Sequence, residues 1–170
     1  MCAAFNLLTP ILPPNAPPIS TQIGRKVMNK FRDSVKAERC SLIFMDHEKS
    51  EMFFYQDDRC VRFPITKGLA GYTARTGERL NIPDAYEDKR FNKKVDMQTG
   101  FRTKSVLCAP IHSKSGDPGV MAVIQMLNKK GGAFDKHDEE ILDNCQLQVA
   151  AALDLQFSTL KMAQGNLEIV

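Results

Sequence analysis

Residues 105–128, SVLCAPIHSKSGDPGVMAVIQMLN, hold two apolar runs, Ser105–Ile111 and Val120–Asn128, joined by SKSGDPG. The join is made of Ser, Gly, Asp and Pro, residues whose backbone angles and self-bonding side chains suit turns. Two such runs around such a turn predict an antiparallel hairpin. Upstream, residues 39–46 and 51–55 flank the polar turn His47-Glu48-Lys49-Ser50 and predict a second hairpin, with Cys60–Ile65 as a further strand. Gly68 opens a short helical segment, Leu69–Arg75, closed by Gly77, and Arg79–Ile82 predicts a strand ended by Pro83. At the front, Ile23, Val27, Phe31 and Val35 recur every four residues, predicting a helix to about Lys36 capped by Ser20 or Thr21. At the back, Asp135 caps a final helix to about Met162, with Asp138 and Glu139 in its first turn, where the helix dipole favours acids. The order is helix, three strands, short helices, three strands, long helix. That predicts an α+β domain, a mainly antiparallel sheet with helices on its faces.

The rest of the chain agrees with a single domain. Its 170 residues can bury about 70% of their unfolded surface, and 43% hydrophobic content is too apolar for disorder. No run of about 18 apolar residues exists to span a membrane. The basic excess is diffuse rather than striped, which argues against nucleic acid. Five cysteines (2, 40, 60, 108, 145), odd in number and without C-x-x-C, point away from a disulfide framework and towards a reducing, cytoplasmic compartment. The first 20 residues lack the basic start of a secretory signal and hold five of the nine prolines, so 1–18 is expected to be a tail ahead of a domain at 19–160, with 161–170 a linker. Charge is uneven: residues 1–134 carry 21 basic and 13 acidic groups, while 135–170 carry 2 and 7. A basic body with an acidic terminal helix, or a pocket for an anion, would account for the division.

Catalytic signatures are absent: no H-E-x-x-H, G-x-S-x-G, P-loop or G-x-G-x-x-G occurs. Of the three histidines, His47 and His137 are expected in solvent, and His112 ends a strand facing either way. Gly68-Leu69-Ala70-Gly71 has two readings. Unpaired N–H groups at the helix start would suit a phosphate, or the glycines serve a tight turn and close packing. The polar stretch 84–104 predicts one or two short helices in a long excursion, which in a compact domain usually serves function. Asp96, Thr99 and Thr103 on it, with Gln125 on a nearby strand, are candidates to read a ligand's edges beneath a lid.

Several motifs carry a family resemblance. Asn128-Lys129, Phe134 and Asp138-Glu139 fit N-K-x(n)-F-x-x-x-D-E, and NIPDAY (81–86), RFN (90–92), Val95-Asp96, TGFRT (99–103), LCAPI (107–111) and ERCSL (38–42) accompany it in order. Over about residues 20–160 the chain resembles the GAF domains that regulate cyclic-nucleotide phosphodiesterases. The resemblance implies a six-stranded antiparallel sheet with helices on both faces, a long C-terminal helix, and cAMP or cGMP enclosed under the 84–104 lid, with no cofactor. It implies a Lys129–Asp138 ion pair bracing the pocket from behind, within a structural set that includes Asn128, Phe134 and Glu139. By position, Ser41 would contact the base, Leu69 and Ala70 would offer N–H groups to the phosphate, Asp96, Thr99 and Thr103 would come from the lid, and Gln125 from the floor. Where nucleotide-binding members often have Phe-Asp-Gly, this chain has Tyr55-Gln56-Asp57-Asp58. Either Tyr55 takes over stacking on the purine or Asp58 keeps the acidic role.

The resemblance implies a regulatory domain rather than an enzyme, attached to a phosphodiesterase catalytic domain elsewhere in a longer chain. The alternative is a dimerisation module with a non-binding pocket. Val149–Leu155 is apolar nearly all round, and a second apolar face on the last helix suits a homodimer. A cysteine-based redox protein of the free methionine sulfoxide reductase sort is disfavoured, because 84–104 contains no Cys.

Overall fold

The computed structural model describes residues 22–56, 59–113 and 119–165, with side chains over 26–55, 59–113 and 119–155. The expected cap at Ser20 or Thr21, the Pro-rich tail, Asp58 and the centre of the SKSGDPG turn lie outside the described residues.

In chain order the elements are α1 (Gln22–Ser34), β1 (Ala37–Asp46), β2 (Glu51–Gln56), β3 (Arg59–Pro64), α2 (Gly68–Thr76), β4 (Leu80–Ile82), α3 (Lys93–Thr99), β5 (Val106–His112), β6 (Val120–Lys129) and α4 (Lys136–Gly165). The six strands form one sheet in the order β3-β2-β1-β6-β5-β4, and every pairing is antiparallel. The α+β class, the six-stranded sheet and the long terminal helix follow the sequence reading. The β5–β6 hairpin pairs as expected, with a register irregularity at Ile111/His112.

Strand alternation splits the core into two layers. Ala122, Ile124 and Met126 of β6 and Leu107, Ala109 and Ile111 of β5 face one side, where Val35, just after α1, and Leu142, Cys145, Val149 and Leu153 of α4 cover them. Val123 of β6 and Val106 and Cys108 of β5 face the other side, under Leu69, Ala70 and Ala74 of α2. Central strands buried on both faces must be apolar throughout, which is why β5 and β6 appear in the sequence as continuous runs.

α4 continues to Gly165, three residues past the end expected from the sequence. Lys161-Met162-Ala163-Gln164 are good helix formers, and Gly165 is the first residue that disfavours helix. The helix starts on a reciprocal capping box: Asp138 N–H donates to Asp135 Oδ1 (3.1 Å), and Asp135 N–H to Asp138 Oδ2 (2.8 Å). The acidic segment is also tied to the basic body. Arg79 pairs with Asp143, Lys129 with Asp135 and Asp138, and Gln146 Nε2 donates to Pro110 O at 2.6 Å.

Candidate functional site

One line of residues crosses the α2 side of the sheet. Leu80 pairs with Cys108, Cys108 with Gln125, and Gln125 with Ser41. Cys108 is in the α2-side layer, and directly paired strand residues share a face, so Ser41 and Gln125 face α2 as well. The flanking floor positions Ile43, Val106 and Val123 are buried and apolar. Three consecutive polar positions in an apolar floor need partners, and Ser41 and Gln125 stay only half-buried. Burial pushes the Cys108 thiol up to about 12, against an opposing effect of the Gln125 and Thr73 side chains. Burial likewise raises Cys145 to about 12, and raises Cys40 too. These three thiols stay protonated at neutral pH.

Above the floor, Leu69 and Ala70 are buried on the first turn of α2. Their N–H groups belong to the set a helix leaves without intrahelical acceptors, and Lys67 at the cap position supplies no side-chain bond. Gly68 begins the helix at φ +67°, where other residues are strained. At Gly71 a Cβ would lie 2.3 Å from Ile65 O, and Arg75 Nη1 donates to that same carbonyl at 2.5 Å. Close packing against the end of β3 therefore accounts for Gly71.

The 84–104 excursion contains one helix, α3, and is stitched shut. Asp96, only 6% exposed, accepts from Thr103 N (2.7 Å) and Tyr86 OH (3.2 Å) at Oδ2, and from Thr103 Oγ1 (2.8 Å) at Oδ1. Asp96 and Thr103 are thus brought together and bond each other. Thr99 is exposed and donates to Val95 O at 2.8 Å, within its own helix. Aromatic rings and cations hold the lid together and tie it to α2. Tyr86 packs on Phe91 (5.3 Å) with the Arg102 guanidinium 3.4 Å over its ring, and Arg90 lies over Tyr72 of α2 at 4.5 Å. Arg39 of β1 stacks on Phe101 at 3.7 Å, joining the lid to the floor strand.

Asn128 anchors the lid's base. It is the penultimate residue of β6, at φ +57°, a left-handed conformation that Asn tolerates better than most residues, and is buried. Its Oδ1 accepts from Lys104 N (2.6 Å), and its Nδ2 donates to Arg102 O (2.8 Å) and Glu38 Oε2 (2.9 Å). Ala85 N–H donates to Lys104 O at 2.6 Å, so both ends of the excursion meet at this point. Next to it, Lys129 Nζ lies 2.5 Å from Asp138 Oδ2 and 2.7 Å from Asp135 Oδ2, with the Asp138 side chain 4% exposed. Hydrogen bonds that Lys129 donates to Asp135 and then to Asp138 raise the Lys129 pKa, and the same bond to Asp135 lowers that of Asp135. Phe134 is buried in the α1/α4 layer, and Glu139 Oε1 accepts from Asn81 Nδ2 at 2.6 Å. All five motif residues therefore act behind the lid or under the sheet.

Tyr55 stands apart from this row. It packs in the α1/α4 layer, edge-on to Phe53 at 6.2 Å, on the opposite side of the sheet from Ser41 and Gln125. The strand period of 2 puts its neighbour Phe54 on the α2 side, against Phe63 at 6.1 Å. Phe54, Phe63, Tyr72 and Phe91 are rings packed on that side, and Phe54 is the one on Tyr55's own strand. Two histidines hold structure, with His47 Nε2 bonding Val120 O (3.0 Å) and His112 Nδ1 bonding Gly119 O (3.2 Å), while His137 is exposed. Among the described residues no group of three or more His, Cys, Asp or Glu is placed to hold a metal, and no helix is long and apolar enough to cross a membrane. Sequence reasoning missed Thr73, Cys108, Phe54 and the Tyr86–Arg102 contact. Only the Cys108–Gln125 pairing had a signal, the hairpin register, and the irregularity at Ile111/His112 hides it.

Comparison with known proteins agrees with this architecture. A family model described as GAF domain matches residues 21–153. A "Probable 3',5'-cyclic phosphodiesterase pde-5" of Caenorhabditis elegans is 38% identical over 134 residues, 69% of this chain and 18% of that protein. A "Dual 3',5'-cyclic-AMP and -GMP phosphodiesterase 11A" of Takifugu rubripes is 34% identical over 139 residues, 72% of this chain and 15% of that protein. The chain thus spans less than a fifth of the curated relatives it matches. Among solved structures, the GAF domain of a phosphoenolpyruvate-protein phosphotransferase from Coxiella burnetii superposes with a TM-score of 0.67 at 17% identity, over 81% of this chain and 82% of that one. The chain belongs to the GAF domain family.

Proposed function

We propose that this domain is a non-catalytic regulatory module that encloses a cyclic nucleotide, cAMP or cGMP, and controls an attached 3',5'-cyclic-nucleotide phosphodiesterase catalytic domain in the cytoplasm. The observation that carries the reading is the Ser41–Gln125 pair in an apolar floor, beside the first turn of α2. The base lies on the floor, where the Ser41 hydroxyl and the Gln125 carboxamide meet its polar edge. The cyclic phosphate takes the N–H groups of Leu69 and Ala70, where the helix dipole offsets its single charge. The lid closes over both, and α4 carries the state onward. Ligand shifts the attached domain only through its differential affinity for the lid-closed state. Isothermal titration with each nucleotide tests the reading. Saturable binding that Gln125→Ala weakens is the expected result, and no heat at millimolar nucleotide contradicts it.

A second reading, a dimerisation module whose pocket stays empty, draws on α4. Leu147 is 57% exposed there, and Ala151, one turn on, is exposed beside it. A second copy of the chain is the partner this face suits. Light scattering of Leu147→Glu decides: a wild-type dimer that becomes a monomer supports it, and an unchanged mass counts against α4 as the interface.

A further inference from the structure

β4 is the shortest strand, three residues at one edge of the sheet, paired only with β5. Leu80 and Ile82 pack on the α2 side, so Asn81 between them and Arg79 just ahead face the α4 side. There they hold one stripe of α4. Asn81 Nδ2 donates to Glu139 Oε1 (2.6 Å) and to Phe134 O (3.2 Å). Arg79 Nη2 donates to Gln146 Oε1 (2.9 Å) and pairs with Asp143. Glu139, Asp143 and Gln146 follow one another at the i, i+4, i+7 spacing of a single helix face. Elsewhere α4 sits on the sheet through Leu142, Cys145, Val149 and Leu153, but its seam with β4 is polar. A close-packed apolar layer holds one arrangement, whereas bonds at a half-exposed seam can be exchanged for bonds to water. The edge strand can therefore shift against α4 without opening the core.

The same strand leads straight into the lid. Only Pro83 and Asp84 separate Ile82 from Ala85, which is 0% exposed and whose N–H donates to Lys104 O to close the lid's base. We propose that β4 is a lever between the lid and α4, with the Asn81–Glu139 bond as its joint. The closed lid holds β4 where Asn81 reaches Glu139, and the open lid releases it. The first turns of α4 are steadied in one state and loosened in the other. The two states then differ at α4 by a bond present in only one of them, which is the differential contact that coupling requires. Asn81 faces away from the α2 side and acts as a positioning residue. For its ligand this inference rests on the cyclic-nucleotide reading above; the joint itself needs no ligand.

Amide hydrogen exchange on the 170-residue chain tests the lever. Thr103→Val removes the hydroxyl that Asp96 holds and should open the lid about tenfold more often, the worth of one hydrogen bond to a carboxylate. Exchange is then expected to rise about tenfold in the lid and, with it, about threefold or more at Glu140–Gln146 of α4. In a Glu139→Ala background the lid should respond to Thr103→Val as before, while Glu140–Gln146 no longer follow. Glu139→Gln keeps a carbonyl for Asn81 and should restore the response. Each background is read against its own baseline, so a plain loss of helix stability in Glu139→Ala does not imitate the result. Asn81→Ala breaks the joint from the strand side and should act as Glu139→Ala does. An α4 that ignores an opened lid in the Thr103→Val single variant would overturn the lever, and so would one that follows it equally in Glu139→Ala and Asn81→Ala. Saturating cAMP or cGMP should slow exchange in both segments of the wild type but only in the lid of Glu139→Ala; equal slowing of α4 in both would also count against the joint. If neither nucleotide binds, the ligand reading falls, and the ligand-free arms still judge the lever.

Discussion

Replacing Asn128 with Ala removes the anchor of the lid and leaves its partners without their bonds. Three side-chain bonds are lost, to Lys104 N, Arg102 O and Glu38. The two bonds to backbone are worth about 1 kcal/mol each, and the bond to the Glu38 carboxylate, half open to water, adds about 0.5–1 kcal/mol. Asn already holds a Cβ at φ +57°, and Ala keeps that strain, about 1 kcal/mol relative to Gly. The lost bonds sum to about 2.5–3 kcal/mol, a large fraction of an ordinary domain's stability. Asn128→Gly loses the same bonds without the backbone strain, so it should be milder than Ala by about 1 kcal/mol. Urea unfolding followed by circular dichroism measures both, and amide exchange at Lys104 reports whether the lid opens before the sheet. A loss below about 1 kcal/mol in Asn128→Ala, or no difference between Ala and Gly, would refute the anchor argument.

Lys129→Met strands the Asp138 carboxylate, 4% exposed, with only the Asp135 N–H, and should cost about 3 kcal/mol. Asp138→Ala should cost less, because Lys129 keeps Asp135 as a partner; the reverse order in denaturant midpoints would contradict this. Burial holds the Cys108 and Cys145 thiols at about 12 in the folded protein, against 9.0 for a free thiol. The unfolded state therefore loses those protons first, and stability present below pH 9 falls as pH rises. By about pH 10 each thiol should have withdrawn about 1 kcal/mol, and a midpoint flat from about pH 8 to 10 would contradict the burial. Phe54→Ala should weaken nucleotide binding whereas Tyr55→Ala should not, measured by titration calorimetry; the opposite pattern would move the ligand to the other face.

The hairpin, the layer class and the motif from Asn128 to Glu139 were legible because each is written locally, in turn residues, periodicity and spacing. The side of the sheet reached by Tyr55 was not, because a period of 2 fixes relative but not absolute parity. Packing of Phe44 and Phe53 beneath α1 and α4 settles it. The polar row Cys108–Gln125–Ser41 joins three strands far apart in sequence, so it exists only once the register is known. Arg39, Arg90 and Arg102 resemble solvated charges in sequence, yet their guanidinium planes lie on Phe101, Tyr72 and Tyr86. The division of charge near Phe134 has a structural meaning as well. The acids of α4 dock on Arg79 and Lys129 of the basic body, so part of the imbalance is spent inside the domain rather than on a ligand.

The central claim is that the α2 side of the sheet, beneath the 84–104 lid, is where a cyclic nucleotide sits. Backbone and side-chain NMR shifts of the labelled domain, titrated separately with cAMP and cGMP, test it most directly. The account predicts saturable shifts at Ser41, Leu69, Ala70 and Gln125, together with Asp96–Thr103 of the lid. It is contradicted if neither nucleotide moves any of these resonances, or if the shifts gather around Tyr55, α1 and α4.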